Sequence, residues 1–245
     1  MDIKLSVCIP MYNEEKIASD TARTLTDFMT KRFGAEGWEI IFSNDGSKDN
    51  CASVISDFSK TDGRVRLVGY EDNRGKGSAV RTAVLAAEGD YILYTDCDLA
   101  YGCDAIADMY DALAGSENDI MIGSRNISAD GYEGYTALRR IMSKTYIKVI
   151  SIAAGFRYTD SQCGIKCFKK DAAHKIFREC TVDGFAFDLE ALILADIYKY
   201  KVGEKAVKII NHRESESKVN PIKDALKMLR DVSRIKKIHK SKKLK

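Results

Sequence analysis

Five short apolar runs, KLSVCIP, WEIIFS, VRLVG, YILYT and DIMIGS, recur through the first half of the chain with helix-patterned stretches between them. Glu15 to Lys31 places Ile17, Thr21, Leu25 and Phe28 at the spacing of one helical face. Asn50 to Phe58, Ser78 to Ala87 and Ala105 to Leu113 repeat the theme. Short strands alternating with helices imply an α/β fold, a mostly parallel central sheet with helices on both faces. Such a sheet carries its sites at the carboxyl ends of its strands.

Those ends hold the residues that carry chemistry. MYNEE follows the first run, NDGSKD the second, YEDNRGKGS the third, DCDLA the fourth and Arg125 the fifth. One polar loop of this kind is ordinary; five along one sheet edge suggest a continuous site. Two aspartates one residue apart, Asp96 and Asp98, repel each other unless a cation lies between them. Hard oxygen ligands at strand ends suit Mg²⁺ or Mn²⁺, which keep several waters and bind substrate phosphates. The plainer reading is a helix cap, although Asp104 is better placed for that. A phosphatase-type Asp-x-Asp is the rival chemistry, but such a pair belongs after the first strand of its domain. NDGSKD is a turn sequence whichever way Asp45 is used. NRGKGS lacks the spacing of a phosphate-binding loop, yet a Gly-Lys-Gly segment opening a helix can approach a phosphate. Asp188 and Glu190 open a later helix, where acids are common.

The second half is less regular. Tyr135 to Ala154 reads as a long helix, CGIKCFKK as a strand, and Asp171 to Phe177 and FDLEALILADIY as helices. KAVKIIN reads as the last strand and HRESESKVN as a polar loop, and Pro221 opens a basic helix. The expected organisation is one domain over 1–220 and a basic amphipathic helix with its tail over 221–245.

At 245 residues and 45% apolar, the chain can fill a sizeable core, and a net charge of +3 points to no partner. The distribution is more telling, since residues 227 to 245 hold nine Lys or Arg against one acid, Asp231. No stretch reaches the roughly 20 apolar residues of a spanning helix. The first apolar run is too short for a signal peptide. Seven scattered cysteines suit reduced thiols, and Cys163 and Cys167 lack the second pair a zinc site needs. These features lead us to expect a cytoplasmic protein.

In order, SVCIPMYNEE, IIFSNDGSKD, NRGKGSAVRTA, YILYTDCD, IGSR, DSQCGIKCFKK and GFAFDLEAL resemble glycosyltransferase family 2, with its nucleotide-sugar-binding GT-A fold. The resemblance spans about residues 4 to 235. RGKGSAVR, SQCGIKCF and SKVNPIKDALKMLRD look most like dolichyl-phosphate β-glucosyltransferases, with dolichyl-phosphate mannosyltransferases a step further away. The resemblance implies inverting transfer of one sugar, glucose from UDP-glucose, to a polyprenyl or dolichyl phosphate. It assigns Pro10, Tyr12 and Glu14 to the nucleoside and Asp45 to the base. It gives Asp96 and Asp98 to the metal and diphosphate, Arg125 to the phosphates and Lys76 to the donor. Arg213 and Lys218 match the basic pair of a closing loop, and Asp160 and Gln162 the sugar and acceptor pocket. Asn44 departs from the family, which has a first aspartate there. Ala100 stands where mannosyl relatives carry a Gln metal ligand.

Asp188 is the general base if the acceptor is an alcohol. A phosphate monoester is already largely anionic at neutral pH, and Asp188 then orients the donor sugar or the acceptor. Two alternatives stay open: transfer to a glycan hydroxyl, and a non-catalytic nucleotide-sugar-binding protein on the same fold. A lipid acceptor requires a membrane. Met228, Leu229, Val232, Ile235 and Ile238 recur at helical spacing among lysines, so the terminal helix is expected to lie on an anionic cytoplasmic membrane face. A homo-oligomer is a further expectation with no residue behind it, and a basic tail without interleaved aromatics does not point to nucleic acid.

Overall fold

The computed structural model describes residues 3–133, 137–211 and 221–240. The first half alternates β1 (Leu5–Met11), α1 (Glu15–Phe33), β2 (Trp38–Asp45), α2 (Cys51–Thr61), β3 (Val65–Tyr70), α3 (Lys76–Ala86), β4 (Tyr91–Tyr94), α4 (Gly102–Ala114) and β5 (Ile120–Ser124). The rest is α5 (Ala137–Ala154), β6 (Lys166–Lys169), α6 (Lys170–Glu179), α7 (Phe187–Ile197), β7 (Val202–Ala206) and α8 (Pro221–His239). The seven strands form one sheet in the order β3-β2-β1-β4-β6-β5-β7. All pairings are parallel except those of β6, which runs antiparallel to both β4 and β5.

Alternate residues of a strand face opposite sides of a sheet, and β1 divides the core accordingly. Leu5, Val7 and Ile9 pack with α1, α2 and α4, while Cys8 joins the cluster under α3, α6 and α7. Helix α1 buries Ala18, Thr21, Ala22, Leu25 and Met29, a helical stripe, and ends at Gly34, whose φ of 87° suits glycine.

The last strand lies upstream of its expected place. Val207 and Ile209 are buried by packing on the core, whereas the ladder to β5 runs from Val202 to Ala206. Beyond it the chain turns across the sheet end, where Ile210 N–H donates to the Ala100 carbonyl at 2.8 Å. The apolar stripe of α8 also differs from expectation. Met228, Val232 and Ile235 are buried against Ile150 and Ala154 of α5 and Leu189 and Ile193 of α7, so they are not offered to a membrane. Among the described residues no helix is long and apolar enough to cross a membrane.

Candidate active site

A cleft of about 480 Å³ opens at the carboxyl ends of β1, β2 and β4. It is lined by Pro10, Met11, Tyr12 and Glu14 from the first strand end, Asp45 from the second, and Asn73, Gly75 and Lys76 from the third. Asp96, Cys97 and Asp98 come from the fourth, and Gly184 and Phe185 close the far wall. Four of the five strand ends singled out in the sequence therefore meet in one cavity.

The loops that carry these residues brace each other. The Asn13 N–H donates to Ser47 Oγ at 3.0 Å, and the Lys48 N–H donates to Asn13 Oδ1 at 2.8 Å. The Glu15 N–H reaches Asp49 at 2.9 Å, and the Asn50 amide returns to Glu15 at 2.9 Å. Asn13 itself holds a φ of 56°, a conformation that asparagine tolerates better than most residues.

The acidic turn is fixed from three sides. Thr21 Oγ1 of α1 donates to the Cys97 carbonyl at 2.8 Å, and the Ala100 N–H donates to Asp98 Oδ1 at 3.1 Å. Asn211 Nδ2 donates to the Leu99 carbonyl at 2.9 Å. Leu99 is held at a φ of 47°, a strained region for a branched side chain, while that side chain stays buried. Gly164 leaves room for Asp96: a Cβ at 164 would stand 2.7 Å from Asp96 Oδ2.

Among the described lining residues, acids outnumber bases. The Lys76 ammonium is ion-paired with Asp96. Burial alone would lower its pKa, but Asp96, Asp188 and Asp98 hold it above the usual lysine range. Burial pushes the Asp98 carboxyl up, the Asp96 charge adds to the rise, and the Ala100 N–H and Lys76 only partly oppose it. Glu14, Asp45, Asp96 and Asp98 thus face Lys76 as the one basic residue among the lining residues.

Several expected residues are engaged in ways the sequence does not reveal. Asp45 accepts from the Tyr70 hydroxyl at 2.6 Å, the Arg74 and Gly75 N–H groups at 2.9 and 3.0 Å, and the Asn73 amide at 2.9 Å. Its carboxylate thus orders the 70–75 segment. Asn44 lies outside the cleft lining, with Oδ1 accepting from the Ser47 N–H at 3.1 Å. The amides opening α3 are also occupied, because Gly77 and Ser78 donate to the Asp183 carbonyl at 2.7 and 3.2 Å. NRGKGS therefore offers an ammonium rather than a phosphate cradle.

Arg125 and Asp160 are each other's partners. Nε and Nη2 donate to the two carboxylate oxygens at 2.7 and 3.0 Å, with Asp160 fully buried. Neither lines the cleft, but Arg125 influences Tyr101, whose hydroxyl accepts from the Gly164 N–H at 3.1 Å beside Asp96. Gln162 is half-buried and makes one long contact, to the Ser161 carbonyl at 3.5 Å. Asp188 Oδ1 accepts from the Tyr94 hydroxyl and from Lys166 Nζ, the latter at 2.6 Å and wholly buried. Lys166 and Tyr94 escaped sequence reasoning. The available signal was a lysine in an otherwise apolar strand, since a buried lysine requires a partner. Arg213 and Lys218 lie outside the described residues.

Asp96 and Asp98 present hard oxygen donors beside a cavity, which fits a divalent cation whose remaining ligands come from substrate and water. Among the described residues no group of three or more His, Cys, Asp or Glu could hold a metal by itself.

Comparison with known proteins shows the family and the fold. The chain is 30% identical over 247 residues to a dolichyl-phosphate beta-glucosyltransferase of Dictyostelium discoideum, covering 96% of this chain and 74% of that one. It is 33% identical over 245 residues to the Drosophila melanogaster protein of the same name, covering 94% and 73%. In fold it is similar to glucosyl-3-phosphoglycerate synthase from Mycobacterium tuberculosis, solved with Mg²⁺ and uridine diphosphate. That match has a TM-score of 0.61 at 16% identity and covers 95% of this chain and 78% of the other. Residues 6–177 match Glycosyl transferase family 2; the chain belongs to this family and is a nucleotide-sugar-dependent glycosyltransferase.

Proposed function

We propose that this chain transfers one glucose unit, with inversion, from UDP-glucose to a polyprenyl or dolichyl phosphate at a cytoplasmic membrane face. The observation that carries this reading is the charge imbalance of the cleft. A diphosphate beside the paired carboxylates Asp96 and Asp98 needs a cation to come with it. Asp96 and Asp98 would hold Mg²⁺ or Mn²⁺, which supplies neutralisation of charge on the leaving diphosphate.

The remaining roles fall to the chain itself. Tyr12, Pro10 and Glu14 face the nucleoside, and Asp45 presents the edge of the 70–75 segment to the base. Lys76 moves from Asp96 toward the phosphates as the donor enters. The family resemblance gives Arg213 and Lys218 to a loop that closes over the donor, where they would add cations to the leaving diphosphate. Arg125, its plane set by Asp160, uses its remaining Nη1 for the acceptor phosphate, near Gln162.

The engagement of Asp188 supports an anionic acceptor. Asp188 Oδ1, one of its two carboxylate oxygens, already accepts from Tyr94 and from the Lys166 ammonium, which lowers the basicity available to an alcohol. A phosphate monoester, with a second pKa near ~6, needs no such base. Asp188 then orients the donor sugar. The names of the relatives point to the same acceptor class.

The test is a donor panel of UDP- and GDP-sugars with Mg²⁺ or Mn²⁺ and a short polyprenyl phosphate, reading sugar recovered in organic solvent. Transfer from UDP-glucose, lost in Asp98→Ala, is expected. Sugar recovered only on a water-soluble glycan would overturn the lipid acceptor, and binding of the donor without turnover would overturn catalysis.

A further inference from the structure

Helix α5 is apolar on two faces, and among the described residues only one of them is covered. Ile147, Ile150 and Ala154 are buried, with Ile150 and Ala154 packed against α7 and α8. On the opposite side Ile141 and Ile152 are 63% and 71% exposed, and Met142 and Val149 are exposed as well. The helical repeat puts Ile141, Thr145, Lys148, Val149 and Ile152 on one stripe, with Met142 and Lys144 along its margins. No other helix among the described residues shows as many exposed large apolar side chains.

We infer that this face of α5, rather than the apolar stripe of α8, is the surface that docks on an anionic lipid bilayer. The inference rests on the lipid-acceptor reading above and names the surface that reading leaves unassigned. Three observations commit the face to a bilayer. Lys148 lies within the apolar stripe, where its stem lies along lipid and its ammonium reaches phosphates. A second copy of the chain would have to bring Lys144 and Lys148 into an apolar interface without an acid on this face to pair them, which is costly. Position supplies the third. Lys144 Nζ lies 5.6 Å from the Tyr132 ring, and the Arg125 guanidinium lies 5.3 Å from the same ring. The amino-terminal half of α5 therefore sits one side chain away from Arg125, so a membrane under α5 brings lipid phosphates to that end of the site.

Flotation with phosphatidylcholine vesicles, with and without phosphatidylglycerol, tests the surface independently of catalysis. The protein is expected to float with anionic vesicles. Val149→Asn/Ile152→Asn should abolish flotation, and Lys148→Gln should weaken it about fivefold, the equivalent of roughly 1 kcal/mol per basic residue. Arg234→Gln/Lys237→Gln, on the exposed side of α8, should float as the wild type does. Circular dichroism and urea midpoints establish that each variant is folded. Loss of binding in the α8 variant with retention in the α5 variants would overturn the inference. So would a wild-type dimer that the α5 variants dissociate, or absence of binding to anionic vesicles. Transfer to a detergent-dispersed short acceptor separates the two readings. If vesicles bind through α5 but no acceptor is glycosylated, the surface stands and the proposed reaction fails.

Discussion

Asp98 sits where burial and Asp96 both oppose its negative charge, and its pKa is raised. A carboxyl raised in the folded state contributes most to stability below its unfolded pKa. That contribution is lost as pH rises through the folded value. At neutral pH the ionised Asp98 is therefore a strain on the substrate-free protein. Asp98→Asn should raise the melting temperature, by at most about 1 kcal/mol or roughly 2 to 4 °C, while cutting Mn²⁺-dependent UDP binding at least tenfold. In the wild type, that binding should weaken as the pH is lowered through the raised pKa, which calorimetry across a pH series would record. Lys166 presents the opposite case. Its ammonium is wholly buried with Asp188, and Lys166→Met leaves that carboxylate unpaired, at a cost of about 3 kcal/mol in urea unfolding. The second substitution Asp188→Asn should recover most of the loss. Such pairs could not be read from sequence, because Lys166 and Asp188 are brought together only by the packing of β6 against α7, and Arg125 and Asp160 are 35 residues apart. The acids of the cleft were legible because each stands at the end of an apolar run.

At the scale of elements, the entry to α3 couples the cleft to the segment before α7. Gly77 has no room for a side chain: a Cβ there would lie 2.5 Å from the Val182 carbonyl and 2.6 Å from Phe187 Cβ. Gly77→Ala should therefore push α3 and the 182–184 backbone apart, lowering stability by about 1 to 3 kcal/mol and weakening nucleotide binding. A urea curve and a UDP titration on the same sample would show both effects together. Gly69→Ala, which would collide with the Asn44 backbone outside the cleft lining, should lower stability first. Periodicity located nearly every strand and helix of the first half, where each element contributes one face to a sheet. It placed β7 too far along because Val207 and Ile209 alternate like a strand, although the last bond to β5 is the one from the Val207 N–H to the Ser124 carbonyl at 3.0 Å. It also could not tell which partner takes an amphipathic face, so the stripe of α8 read as membrane-facing although α5 and α7 cover its Met228, Val232 and Ile235, leaving Ile238 exposed.

Across the whole molecule, α8 closes a third core cluster with α5 and α7, while the cleft lies at the strand ends of the sheet. Ile235 is fully buried in that cluster, so Ile235→Ala should cost about 2 to 4 kcal/mol in urea while leaving UDP affinity unchanged. A parallel drop in UDP affinity would show that α8 also shapes the donor site. The broad architecture was legible because the alternation of strands and helices dictates it; the charge balance of the cleft emerged only when four strand ends met. That balance underlies the whole functional reading, and one titration addresses it. Calorimetry of UDP into the protein, with and without Mn²⁺, should show binding that is strong with the cation and at least tenfold weaker without it. The cation dependence should vanish in Asp98→Asn. Equal UDP affinity with and without Mn²⁺ in the wild type would contradict the claim that Asp96 and Asp98 share a cation brought in with the diphosphate.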